Sequence, residues 1–416
     1  MVRDFQNFVL GVIISINMKI ITDEKKIDEI LSRGVEEVIE KEHLLAILKS
    51  GKQIRVKFGI DPTAPDLHLG HSVPLRKLRQ FQDLGHKAVL IIGDTTAMVG
   101  DPSGRSETRK MITLPEIKKN MKNYLKHAGK ILDIRKTEVH YNSEWLNKNM
   151  TTILELSKAG TIQQVLHRSD FKKRIENDQD ITLLEVLYPL LQGYDSVAIK
   201  ADLEIGGTDQ KFNLLMGRRV QRFYQMAEQD VLTLPLLEGT DGIKKMSKSY
   251  GNYISLDEAP NDMFGKIMSI PDSLITKYMR LCTNISFFEI EETEKNLENK
   301  SINPKNAKIK LALNIVINYH GEVKAKQAEQ NWENIFSKKE IPNEIEEINC
   351  EKEEILSETL VKNKILSSKG EWRRLVEGNA IHNLIENKNI TDFNFKVNGN
   401  LTLKIGKKRF VKIIVK

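Results

Sequence analysis

The chain has 416 residues, a net charge of +7 and 40% hydrophobic residues, which exceeds one average domain and excludes a disordered polyelectrolyte. Its two cysteines, Cys282 and Cys350, form no CxxC pair and no zinc spacing. Neither a disulfide framework nor a cysteine metal site is supported, and a reducing cytosol fits.

Residues 8–16 are apolar but too short to span a bilayer. Only Arg3 precedes them as a basic residue and no small-residue cleavage pattern follows, so they read as a dispensable extension with a working start at Met18. Residues 22–50 read as helical: Asp23 and Glu24 suit a first turn, and Ile27, Ile30, Leu31, Val35, Val38 and Ile39 make a stripe for core packing or dimer support. Ile54, Val56, Phe58 and Ile60 alternate as in a strand. A turn-rich piece follows, then Leu75, Leu78, Phe81 and Leu84 at helical spacing, with Pro74 in the first turn and Gly85 at the end. Ala88–Ile92 is a buried-strand run. The whole is a βαβ unit whose first strand ends in a loop where open α/β sheets bind ligands.

Residues 105–180 read as a helical insertion, with segments at 114–128, 146–159 and 162–175. A helix over 183–191, a strand over 198–205, a helix over 211–223 and a strand over 231–237 resume the alternation that predicts a parallel sheet. Residues 255–336 read as helices and 338–354 as a charged linker. The tail is predicted as helices over 365–377 and 380–386, then strands at 396–397, 401–405 and 410–415, with turns at Asn398-Gly399 and Gly406. Residues 362–416 carry 13 Lys/Arg against 4 Asp/Glu, net +9, leaving the remainder at −2. A basic module on a near-neutral body suits a polyanionic partner or is a solvated Lys-rich tail.

Three patterns bear on chemistry. His68 and His71, three apart and without a third ligand nearby, suit zinc poorly. Gly70 between them permits close approach, and the helix amino end favours an anion, leaving phosphate or an inert surface pair. Lys244, Lys245 and Lys248 lie between Gly242 and Gly251 as a mobile cationic flap. Asp101 sits in a turn with Arg105 and Arg109 beyond it, either bidentate phosphate donors or parts of an ordinary loop.

In this order, DPTAPDLHLGH (61–71), GDPSG (100–104), GGTDQ (206–210) and KMSKS (245–249) resemble the class I aminoacyl-tRNA synthetases. Over about 50–416 the chain is similar to the bacterial tyrosyl-tRNA synthetases. Tyr188-x-x-x-Gln192-x-x-Asp195 matches that family's pattern, and the tryptophanyl relatives usually lack the Gln/Asp pairing. The resemblance implies tyrosine plus ATP giving tyrosyl-adenylate and pyrophosphate, then transfer to the 3′ end of tRNA(Tyr). It implies that Asp101, Tyr188 and Gln192 hold the amino group of tyrosine, that Asp195 accepts from the phenol, that Gln210 lies near the carboxylate, and that Thr96 and Asn142 support the pocket. Asp61, Gly70, Gly206, Asp209, Met246, Ser247 and Lys248 would contact the nucleotide. Thr63, His68, Lys245 and Lys248 would hold its β/γ-phosphates with help from Arg105 and Arg109, and His71 would pack near the phosphate and ribose. The tail resembles the S4 RNA-binding fold, with Lys369, Arg373, Arg374, Lys407, Lys408 and Arg409 toward RNA.

The chemistry agrees: a carboxylate attacking phosphorus is already a nucleophile, so positioning and cationic stabilisation suffice and no triad is needed. Mg²⁺ would be carried by ATP, with no protein-bound metal expected. Selection of tyrosine would rest on the hydroxyl partner Asp195, and no editing domain is visible. The sequence departs from the family at two places: Lys57 stands where many members carry a phenol-contacting tyrosine, and Glu204 where a glutamine is usual. The expected architecture is α/β: a Rossmann-like parallel-sheet catalytic domain over 1–252 with the helical insertion at about 105–180, an all-α anticodon domain over 253–337, the linker 338–354, and a small α+β S4-like domain over 355–416. A cytoplasmic homodimer built on the insertion is implied, with no membrane partner. The rivals are a tryptophan enzyme of the same class, a non-catalytic RNA-binding paralogue, and a nucleotidylyltransferase with a small acceptor.

Overall fold

The alternating run around Val56 is the middle of a six-stranded sheet in the computed structural model, which describes residues 19–103, 112–148, 150–336, 345–386, 388–406 and 409–415. The 8–16 run, Arg105, Arg109, Lys407 and Lys408 lie outside these residues. The strands are β1 (Glu37–Ile39), β2 (Arg55–Ile60), β3 (Lys87–Ile92), β4 (Glu138–Tyr141), β5 (Leu203–Gly207) and β6 (Asp230–Leu234), in the order β1-β6-β5-β2-β3-β4. All neighbours are parallel except β1 with β6. From β2 the chain moves outward to β3 and β4 on one side, then returns to β5 and β6 on the other. The crevice beyond β2 and β5 is therefore the topological switch point, where such sheets bind ligands.

The helix Leu69–Asp83 crosses from β2 to β3 and buries Leu69, Val73, Leu75, Leu78 and Phe81. It starts earlier than its apolar stripe suggests because the His68 side chain caps it. Pro74 consequently lies in the second turn and leaves the Gly70 carbonyl without its helical donor. The helix predicted over 183–191 runs on from Leu183 to Ile199, opened by a Thr182–Glu185 capping box. It packs closely on Lys211–Phe223: a Cβ on Gly193 would lie 2.8 Å from Val220 Cγ2. Tyr188, Gln192 and Asp195 are spaced by four and three residues and so share one face.

Other expectations change. The strand expected at 396–397 is reduced to one bridge between Lys396 and Ile355, and the strand expected at 198–205 begins only at Leu203 because the preceding helix runs to Ile199. Residues 22–50 are two helices, Glu24–Ser32 and Lys41–Lys49, with β1 between them, because Gly34 and Glu40 take left-handed backbone conformations. Residues 105–180 supply a strand as well as helices: β4 is a polar, half-buried edge strand without an apolar run to announce it. The linker 338–354 contains β7 (Glu346–Cys350), which buries Ile348 and Cys350 and exposes Glu346, Glu347 and Asn349. Residues 380–386 hold β8 (Ile381–Asn383) instead of a helix, drawn into a strand by pairing with a neighbour.

The chain divides into compact units over 1–326 and 327–416. The first holds the six-stranded sheet and most of the helices between Pro260 and Phe336. The second adds β9 (Lys388–Asn389), β10 (Leu401–Ile405) and β11 (Arg409–Val415), ordered β7-β11-β10-β8-β9, with helices Leu356–Lys362 and Lys369–Glu377. Its own core centres on Trp372, whose Nε1 donates to the Phe393 carbonyl at 2.9 Å.

Candidate active site

Two cavities open at the carboxyl ends of β2 and β5. The first, of 270 Å³, is lined by Asp61, Thr96, Asp101, Tyr188, Gln192, Asp195 and Gln210 among others. Its acids are held by donors from distant parts of the chain. The Asp61 carboxylate accepts from Thr96 Oγ1 at 2.7 Å and from the Tyr188 hydroxyl at 2.9 Å. Asp195 accepts from Trp145 Nε1 at 2.8 Å and Asn142 Nδ2 at 3.5 Å. Asp101 accepts from Gln210 Nε2 at 2.6 Å and, at 3.4 Å, from Asn213 Nδ2. Asn142 is fully buried and braces Thr96 from behind, donating to its hydroxyl at 3.0 Å.

Burial disfavours the charged form of a carboxylate, and it pushes Asp61 up to about 7 against the Thr96 hydrogen bond, with the charges of Asp101 and Asp195 adding to the rise. Asp195 is likewise pushed up to about 7 by burial, while the Lys57 cation and the Trp145 and Asn142 hydrogen bonds pull it back. Burial and the neighbouring Asp61 hold the Tyr188 hydroxyl well above its usual range. Such a cavity favours a guest that brings an ammonium and a hydroxyl donor.

The second cavity, of 320 Å³, is lined by His68, Gly70, Met246, Ser247 and Lys248, together with Gly207. Gly206 borders neither cavity; a Cβ there would meet Leu214 and Gln210. His68 Nδ1 accepts from the Gly70 N–H and His71 Nδ1 from the His68 N–H, each at 3.2 Å. Burial keeps both rings neutral: it drives His68 far below the usual histidine range, helped by His71 and Lys248, and takes His71 to about 4. With Nδ1 accepting, the proton of each neutral ring sits on Nε2. The flap is ordered by Asn252, which accepts from the Ser247 N–H at 2.9 Å and donates to Asp241 and the Lys244 carbonyl. Lys245 Nζ pairs with Asp209 at 2.9 Å and Lys248 Nζ with Asp66 at 3.5 Å.

Thr63, His71, Asp209 and Lys245 border both cavities, so an acid-lined pocket runs into a basic one. In the second unit Lys369, Arg373 and Arg374 are exposed on one helix, and Arg409 is exposed on β11 and paired with Glu371 at 2.6 Å. Residues that sequence reasoning missed are Trp145, Asn213 and Gly93. Asn213 follows Gln210 by one helical turn, the only local signal; it donates to the Oε1 atoms of Gln192 and Gln210 at 3.1 Å. A Cβ on Gly93 would fall 2.0 Å from Asp61 Oδ1, so only glycine fits behind that carboxylate.

The family model of class I tRNA synthetases (W and Y) matches residues 49–337. The tyrosine–tRNA ligase of Thermotoga maritima is 48% identical over 395 residues, covering 94% of this chain and 98% of its own. That of Aquifex aeolicus is 46% identical over 389 residues, covering 92% and 97%. The tyrosyl-tRNA synthetase of Archaeoglobus fulgidus, solved with L-tyrosine, shares the fold at a TM-score of 0.61 and 22% identity, over 73% of this chain and 99% of that one.

Proposed function

From the chain's membership of the class I tRNA synthetases (W and Y), we propose a division of labour between its two cavities. The chain is a ligase that charges tRNA with tyrosine at the expense of ATP. The acid-lined cavity takes tyrosine: Asp101, Tyr188 and Gln192 receive the ammonium, Asp195 accepts from the phenol, Gln210 lies toward the carboxylate, and Thr96 and Asn142 hold Asp61 and Asp195 in place. The basic cavity takes ATP. The observation that supports this reading is the shared border of Thr63, His71, Asp209 and Lys245, since tyrosine in the first cavity would then lie beside ATP in the second.

There the carboxylate oxygen forms a bond to phosphorus and the bond to the β-phosphate oxygen breaks. Pyrophosphate leaves with the electron pair, and no proton has to be moved. Lys245 and Lys248 exchange their carboxylate partners for phosphate oxygens, and neutral His68 and His71 donate from Nε2 without adding charge. A hydroxyl oxygen of the tRNA's terminal ribose then bonds to the adenylate's carbonyl carbon, and the bond from that carbon to the phosphate oxygen breaks. AMP leaves with the electron pair while the hydroxyl proton passes to its phosphate. Mg²⁺ would come with the nucleotide and supply charge neutralisation to its phosphates; before ATP binds, the carboxylates nearest the flap lysines, Asp209 and Asp66, are engaged by Lys245 and Lys248.

The exposed cations Lys369, Arg373 and Arg374 give the second unit its role on tRNA phosphates. A second copy of the chain covers the exposed apolar side chains Met150, Leu154, Ile162 and Leu183, making a homodimer. The free thiols Cys282 and Cys350 suit the cytoplasm, and among the described residues no helix is long and apolar enough to cross a membrane. The test is isotope exchange between pyrophosphate and ATP with each amino acid in turn. Exchange is expected with tyrosine alone, and exchange driven by tryptophan instead would overturn the role of Asp195.

A further inference from the structure

Lys57 is fully buried, and so is Glu204 beside it, at 0% and 1% side-chain exposure. They stand opposite each other on the paired strands β2 and β5, at the switch point, with Lys57 Nζ 2.8 Å from Glu204 Oε1. Neither borders either of the two cavities described above. An ion pair so deep is costly to desolvate and is weak evidence for stability alone. Its remaining hydrogen bonds therefore bear on why it is there.

They converge on one residue. Lys57 Nζ donates to the Gln192 main-chain carbonyl at 2.9 Å, and Glu204 Oε1 accepts from the Gln192 side-chain Nε2 at 3.2 Å. Ser196, one turn on, accepts from Lys57 at 2.8 Å and donates to Glu204 Oε2 at 3.2 Å. Gln229 Nε2 also donates to Glu204 Oε2. A side-chain amide has nearly the same shape either way round, but a carboxylate can only accept. Glu204 thus takes the NH₂ end of Gln192, and Asn213 Nδ2 donates to its Oε1 at 3.1 Å. The end offered to the acid-lined cavity is the carbonyl oxygen, which attracts an ammonium where an NH₂ would repel it.

We propose that Lys57 and Glu204 are a positioning pair: Lys57 fixes the backbone of Gln192 and Glu204 fixes its amide, so that Oε1 receives the ammonium of the amino acid. The pair acts without touching the substrate. The inference rests on the assignment of this cavity to tyrosine.

Two variants of the full chain test it, each without a lone buried charge. Lys57→Met with Glu204→Gln replaces the carboxylate by an amide that pairs with Gln192 in either orientation. Glu204→Asp keeps a carboxylate that the long Lys57 side chain can follow, while the lost methylene withdraws it from Gln192. In tyrosine-dependent pyrophosphate exchange, the KM for tyrosine is expected to rise fivefold or more in both. The KM for ATP and the inhibition constant of 3-(4-hydroxyphenyl)propanoate, which is tyrosine without its amino group, should stay within twofold. If tyrosine and this analogue weaken by the same factor in either variant, or if tyrosine does not weaken, the pair is structural only and the proposal falls. If the unaltered protein fails to favour tyrosine over the analogue, it is the assignment of the cavity that falls.

Discussion

Asp195 carries the selection of tyrosine in this reading, because two donors already hold it and a carboxylate still has acceptor capacity left for a phenol. Asp195→Ala should therefore erode discrimination against phenylalanine by about 1–3 kcal/mol, the worth of a buried hydrogen-bonding partner, while the KM for ATP moves less. Competing tyrosine and phenylalanine in pyrophosphate exchange measures this. The same residue gives a pH dependence. Asp195 and Asp61 have been raised to about 7 by burial, so both bind protons in the folded protein at pH values where the unfolded chain has released them. Substrate-free stability should then fall as pH rises from about 4 to about 7, and thermal unfolding across that window checks the sign. In the kinetics, kcat/KM for tyrosine should climb through about pH 7 as the two carboxylates ionise. His68 and His71 stay neutral and add no limb near the ordinary histidine range. Asp61, His68, His71 and Asp195 are visible in the sequence because each sits in a local pattern. Trp145 is not, since its hydrogen bond to Asp195 spans 50 residues of chain that only the fold closes.

At the scale of elements, the lysine loop depends on an anchor outside its own motif. Asn252 ties the Ser247 N–H, Asp241 and the Lys244 carbonyl together, and Gly239 leaves it room, since a Cβ there would come within 2.2 Å of the amide. Asn252→Ala should raise the KM for ATP by roughly tenfold, the scale of one or two buried polar groups left without partners. The KM for tyrosine should hardly change, and steady-state exchange with each substrate varied separately separates the two. Elements with a strong internal period are legible: Lys211–Phe223 has the bounds its stripe predicts. Those defined by their neighbours are not. β1, β4, β7 and β8 are three to five residues long, too short for periodicity to announce them, and pairing with an existing strand decides them. The Leu183–Ile199 helix reads short for the converse reason: Pro189 and Gly193 look like breakers. Proline costs one bond to the Glu185 carbonyl, and glycine is what lets the neighbouring helix approach.

For the whole molecule, the place to cut is fixed by the strand that the sequence hid. A chain ending at Lys352 keeps β7 without β11, its parallel partner, and so bares Ile348 and Cys350, which are buried in the full chain. Ending at residue 340 instead removes the complete sheet β7-β11-β10-β8-β9 and the core around Trp372 that belongs to it. It leaves every residue bordering the two cavities, all of which lie between Phe58 and Ser249. Tyrosine-dependent pyrophosphate exchange by the shorter chain should therefore stay within about twofold of the full protein. Charging of tRNA should fall by at least tenfold, because Lys369, Arg373, Arg374 and the rest of the +9 tail go with the removed unit. Every RNA phosphate that is no longer neutralised lowers affinity and flattens its salt dependence. Measuring tRNA binding at several salt concentrations distinguishes that effect from damage elsewhere: the slope of log affinity on log salt should shrink in the shorter chain. Undiminished charging with an unchanged slope would remove the second unit from tRNA recognition and leave its basic surface as a solvated face.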